Sequence, residues 1–162
     1  MQLKIEQPDL EICDFTNAKH CSALCNLINE YIADPMGGGE ALTERQKLRL
    51  LDGLESHPKA IVLFVLVESQ IAGVINAFMN FSTFKCKPMI NIHDVFVSKL
   101  HRGKGLGRKL IQGIEAIARN NDCGKITLEV RHDNEAARQL YSSEGFEDGD
   151  TPMFFWTKQL LK

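Results

Sequence analysis

The spacing of apolar positions along the 162-residue chain changes period repeatedly, and each change marks an element. Residues 3–15 carry one or two short strands, interrupted near Pro8. Thr16 or Asn17 suits a helix cap, and Cys21, Leu24, Cys25, Ile28, Tyr31 and Ile32 then recur at helical spacing. Asp34 and Pro35 stop that helix, and the glycines at 37–39 make a loop. Thr43 and Gln46 stand at capping-box spacing, so a second helix starts there. It carries Leu50, Leu51 and Leu54 on one side and ends at His57-Pro58. The apolar run 60–67 predicts a strand, 68–70 a tight turn, and 71–81 its hairpin partner, with Gly73 marking a bulge. A turn at 85–88 leads into a third long strand ending at residue 97. The next helix runs to about residue 120, with Leu106, Leu110, Ile114, Ile117 and Ala118 inward. Residues 125–130 form a strand, Asp133-Asn134 caps a helix over 135–144, and Gly145 ends it. Residues 153–158 form the last strand.

This order predicts one mixed α/β domain over residues 1–162, built on one sheet with about four helices. Hydrophobic content of 44% and charged content of 25% are ordinary for a soluble protein. The longest apolar run is too short to span a bilayer, and the first residues lack a signal-peptide core. Five cysteines without CxxC spacing argue against a disulfide framework or a zinc site, and a reducing cytoplasm is the expected location.

Charge changes the picture at one place. Between the strand ending at residue 97 and the following helix lie Lys99, Arg102, Gly103, Lys104, Gly105, Leu106, Gly107, Arg108 and Lys109. The five cations there contrast with a chain of net charge −2. A helix start offers unpaired N–H groups and partial positive charge to an anion. Glycines let a phosphate approach the backbone. A basic island in an acidic chain points to a phosphate-bearing ligand and away from a long nucleic acid. A Walker A loop is absent. A dinucleotide fingerprint fails because Arg108 stands where the third glycine belongs, although Glu129 lies at a tempting distance.

Arg102-Gly-Lys-Gly-Leu-Gly107 resembles the Q/R-x-x-G-x-G/A element of the GNAT superfamily of acyl-CoA-dependent N-acyltransferases. Asn134, Ala137, Leu140-Tyr141 and Gly145-Phe146 resemble that family's N-x-x-A-x-x-L-Y…G-F element. The resemblance implies a mostly antiparallel twisted sheet whose central strands splay apart. It implies acetyl-CoA as co-substrate and no metal. Backbone N–H groups of residues 103–108 then hold the pyrophosphate, Val95, Phe96 and Val97 pair with the pantetheine arm, and Asn134 and Ala137 meet the cofactor from their helix start. Tyr141 takes the general-acid position. His93 is a candidate base in the preceding strand, where histidine's ordinary pKa near 6.5 suits the work. Asp94 is adjacent, but strict alternation turns it to the opposite face unless a bulge intervenes. His101 and His132 read as solvated loop residues.

The expected reaction is acetyl transfer to a primary amine of a small molecule, by direct attack in a ternary complex. Alternatives are a protein (lysine or N-terminal) acetyltransferase, a non-catalytic acyl-CoA binding module, and a nucleotide-binding protein. A cationic acceptor suits the acidic remainder of the chain. No membrane or nucleic-acid partner is expected. The aromatic last strand predicts a homodimer.

Overall fold

A computed structural model describes residues 1–149 and 155–160. Its elements in chain order are β1 Leu10–Ile12, α1 Ala18–Ile32, α2 Glu44–Ser56, β2 Ala60–Val67, β3 Gln70–Ser82, β4 Lys87–Val97, α3 Leu106–Asn120, β5 Lys125–Leu128 and α4 Glu135–Ser143. A short 3-10 turn, Lys99–His101, joins β4 to the glycine segment.

Local chemistry starts the helices. The Asn17 side chain accepts from the Lys19 N–H at the head of α1. At α2 the Gln46 N–H donates to Thr43 Oγ1, and the Thr43 N–H donates to Gln46 Oε1 at 2.9 Å. Both are bonds that otherwise unpaired helix-end donors require.

One sheet has the order β1-β2-β3-β4-β5. The first four strands are antiparallel neighbours, and β5 joins β4 in parallel through the α3 crossover. The continuous apolar run of β2 follows from burial on both faces. Ile61, Leu63 and Val65 meet α3 residues Leu110, Ile114 and Ile117, whereas Val62 and Phe64 meet Leu24 and Ile28 of α1 and Leu54 of α2. The five α3 residues expected inward are all buried. Gly113 lets that helix sit close: a Cβ there would lie 2.7 Å from both Leu10 and Leu63 side chains.

The structure differs from the expected elements at four places. The N-terminal segment forms only the short β1. The bulge expected at Gly73 appears beside it, since Val65 faces Gly73 and Leu66 faces Ile71, leaving Ala72 extra. Strand β5 stops at Leu128, two residues before the predicted end. Of the predicted last strand, Met153 lies with Phe154 outside the described residues. Residues 155–158 belong to no strand, and Phe155 and Trp156 are exposed.

Candidate active site

A one-residue irregularity in β4 creates the opening. Ala77 of β3 faces Ile92, and Asn76 faces Asp94, so His93 is left over as a bulge. Because strand side chains alternate, one extra residue exchanges the two faces. Before the bulge Ile90 and Ile92 pack toward α3; after it Val95 and Val97 do, and Phe96 joins the α1/α2 layer. Pairing between β4 and β5 also ends here, at Ile92 opposite Leu128. Val95, Phe96 and Val97 therefore have no strand neighbour on the β5 side among the described residues. The parting strands open a cleft of about 660 Å³, walled by β4, the glycine segment, α4 and the end of α1.

The glycine segment forms the floor of one end. Gly103 and Gly105 adopt φ of 76° and 74°, a left-handed conformation that side-chain-bearing residues rarely take. A Cβ at either would meet nothing within 4 Å, so the space above the turn is open. Gly107 serves another purpose, since a Cβ there would stand 3.1 Å from Leu140 of α4. Gly105 caps α3, and the first bond into the helix is Lys109 N–H to the Gly105 carbonyl at 3.2 Å. The N–H groups of residues 103–108 donate to no acceptor among the described residues. Six consecutive free donors at a helix start are a fitting cradle for a pyrophosphate.

The basic island is largely neutralised by distant acids. Arg102 Nη2 lies 3.0 Å from Asp34 Oδ2, its Nε donates to the Val97 carbonyl, and the guanidinium covers the Phe96 ring. Lys99 stands 3.8 Å from Asp34. Arg108 bonds Glu144 and Ser143, and Lys109 bonds Asp9. Lys104 has no ion-pair partner among the described residues, and it is absent from the cleft lining. Arg102 and Arg108 line the cleft with their guanidinium groups already engaged, so the turn's backbone supplies the available donors.

Asp34 itself is nearly buried, and the Met36 N–H donating to it holds its carboxyl below the usual range. Burial opposes this and Arg102 adds to it.

Tyr141 reaches the cleft from α4, beside Phe146. Burial pushes its phenol up to about 12, and the neighbouring Tyr31 adds to the rise. Tyr31, from α1, stacks on Phe96; burial also raises its pKa, with Asp94 and Asp34 contributing. Asn134 lines the cleft while its Oδ1 accepts from the Ala137 N–H at 3.2 Å, so its capping role is present. His93 lines the cleft, with Nδ1 3.4 Å from Asp94 Oδ2 and the ring edge-on to Phe78. Asp94 does not line it.

Sequence reasoning passed over three contributors. Tyr31 read only as part of a helix's apolar face. Glu129, weighed only against a dinucleotide pattern, lines the cleft where β5 turns away, with no ion-pair partner among the described residues. His101 read as solvated, yet its Nδ1 is buried without a hydrogen-bond partner and its ring lines the cleft. Among the described residues no group of three or more His, Cys, Asp or Glu could hold a metal, and no helix is long and apolar enough to cross a membrane.

Comparison with known proteins gives a consistent result. Residues 24–146 match the family described as Acetyltransferase (GNAT). The uncharacterized N-acetyltransferase YhfO of Bacillus subtilis (strain 168) is 27% identical over 132 residues, spanning 78% of this chain and 83% of that protein. The N-alpha-acetyltransferase RimI of Mycobacterium tuberculosis is 41% identical over 56 residues, 35% of this chain and 34% of that one. The crystal structure of a probable acetyltransferase superposes with a TM-score of 0.79 at 20% identity, covering 93% of this chain and 97% of the other.

Proposed function

The chain belongs to the GNAT acetyltransferase family, and on that premise we propose that it transfers an acetyl group from acetyl-CoA to a primary amine of a small molecule, by direct attack in a ternary complex. The observation that carries this reading is that the glycine segment, with its free backbone donors, and an unpaired strand edge border the same cleft. The residues fit the co-substrate: the amides of 103–108 would hold its pyrophosphate, Val95, Phe96 and Val97 its pantetheine arm, with Asn134 and Ala137 alongside. Acetyl-CoA supplies an activated acyl group and a thiolate leaving group.

The chain's own groups then have separable tasks. The attacking amine must be neutral, and His93 at the bulge is our candidate to take its proton. Glu129 faces the same opening and is the competing candidate. Tyr141 serves the leaving sulfur. With a phenol near 12 against about 8.5 for a thiol, complete proton transfer is uphill by about 5 kcal/mol. Tyr141 therefore acts chiefly as a neutral hydrogen-bond donor to the developing thiolate, an interaction that strengthens as the C–S bond breaks.

The small-molecule reading is favoured by a relative named for a small amine, a thialysine N-epsilon-acetyltransferase of Bos taurus that is 31% identical over 71 residues, 44% of this chain and 41% of that protein. The likeness to the N-alpha-acetyltransferase over 56 residues favours a peptide N-terminus as the second reading. A thiol-release screen with acetyl-CoA over small amines, lysine peptides and peptides with free N-termini tests both. Turnover with small amines is expected. Turnover confined to peptide N-termini would transfer the assignment to the second reading, and no acceptor-dependent release would remove the enzymatic one.

A further inference from the structure

Asn76 is a polar residue in an apolar wall. It is 3% exposed, and its strand neighbours on the same face, Val74 and Phe78, pack into the α1/α2 layer. Its Oδ1 is buried with no hydrogen-bond partner among the described residues. Its one side-chain hydrogen bond among the described residues runs from Nδ2 to Asp94 Oδ2, at 3.0 Å. Asn76 and Asp94 are also the ladder pair immediately beside the extra residue His93. The side-chain bond thus repeats the backbone pairing at the edge of the bulge. It fixes which residue is extra, and it turns the Asp94 carboxylate toward the His93 ring, whose Nδ1 lies 3.4 Å from the same oxygen.

We propose that Asn76 is a positioning residue: through Asp94 it pins the bulge and holds His93 with its proton on Nδ1, leaving Nε2 as the free acceptor facing the substrate. A carboxylate accepts only, so a neutral imidazole beside it is favoured with the N–H turned toward it. The same logic fixes metal-binding histidines through their outer partners. The ring's second restraint is the edge of Phe78, which limits rotation without choosing a tautomer. This inference rests on the reading of His93 as base, but its geometry can be tested apart from turnover.

Histidine-selective 15N labelling reports the tautomer of His93 in the folded protein at a pH where the ring is neutral. The wild type is expected to show the Nδ1–H form. Asn76→Leu, of the same branched shape and lacking the donor, should shift the population toward Nε2–H and lower kcat at least tenfold. Affinity for coenzyme A should stay within a few fold. Asp94→Asn should shift the tautomer as well, and it decides the matter if Asn76→Leu does not fold. A wild-type ring already in the Nε2–H form would overturn the proposal. So would a tautomer unchanged by Asp94→Asn, or unchanged in folded Asn76→Leu. A tautomer shift with full turnover would support the positioning role and refute His93 as the base.

Discussion

Burial does two things to Tyr141. It keeps the phenol protonated, pushing its pKa to about 12, and it places the hydroxyl in a cleft where a hydrogen bond is little weakened by water. Tyr141→Phe removes the donor with little change in volume, so fold and cofactor affinity should survive. We expect kcat to fall on the order of 10²-fold while the coenzyme A dissociation constant stays within a few fold, as loss of a positioned acid predicts. Single-turnover kinetics measures this, and wild-type rates in a chemistry-limited assay would remove Tyr141 from the mechanism. The base separates by a different response. His93→Ala should lose activity near neutrality and regain part of it at high pH, where free amine is abundant. Tyr141→Phe should not regain it. If Glu129→Gln shows the recoverable loss and His93→Ala does not, the base is Glu129.

At the scale of elements, the segment from β4 into α3 unites the bulge, the free amides and the ion pairs. Gly105→Val should weaken coenzyme A binding sharply, because a branched side chain strains φ of 74° and fills the space above the turn. Calorimetric affinity checks it, and unchanged binding would reject the cradle. The Asp34 carboxylate, held down first by the Met36 N–H and then by Arg102, gives a pH dependence of known sign. The Asp34 carboxyl is depressed in the folded state, so its contribution is present above its unfolded pKa of about 3.9 and is lost as pH falls through the folded value. Asp34→Asn should therefore lower the melting temperature at neutral pH and show a smaller further drop between pH 5 and pH 3 than wild type. Parallel acid limbs would deny the Asp34 carboxylate that role. Much of this segment was legible in sequence, because glycines before a helix and apolar alternation are local signals. The place of the bulge was not: the resemblance left room for one in this strand, but which residue is extra depends on the partner strand's register through Asn76 and Asp94. The ion pairs were equally hidden, since Asp34 and Arg102 lie 68 residues apart and Asp9 and Lys109 lie 100 apart. The cations that read as a ligand-seeking island are mostly held by the chain's own acids.

Across the whole molecule, the sequence order of elements sufficed for the fold because each helix carries one apolar face and each long strand is bounded by turn residues. It did not suffice for the C-terminal segment, where aromatic content predicted a strand and residues 155–158 are irregular. Phe155 and Trp156 are exposed, and the homodimer expected from this segment stands as a proposal. Light scattering at micromolar concentration should give twice the 18.2 kDa chain mass, and a monomeric mass would refute that assembly. The acceptor and the base both depend on one prior claim, that the free amides of residues 103–108 hold the pyrophosphate of coenzyme A. Titration calorimetry of acetyl-CoA against S-acetylpantetheine, which keeps the thioester and arm but carries no phosphate, tests it most directly. Loss of at least two orders of magnitude in affinity for the phosphate-free compound is predicted, and equal affinity for the two would contradict the account.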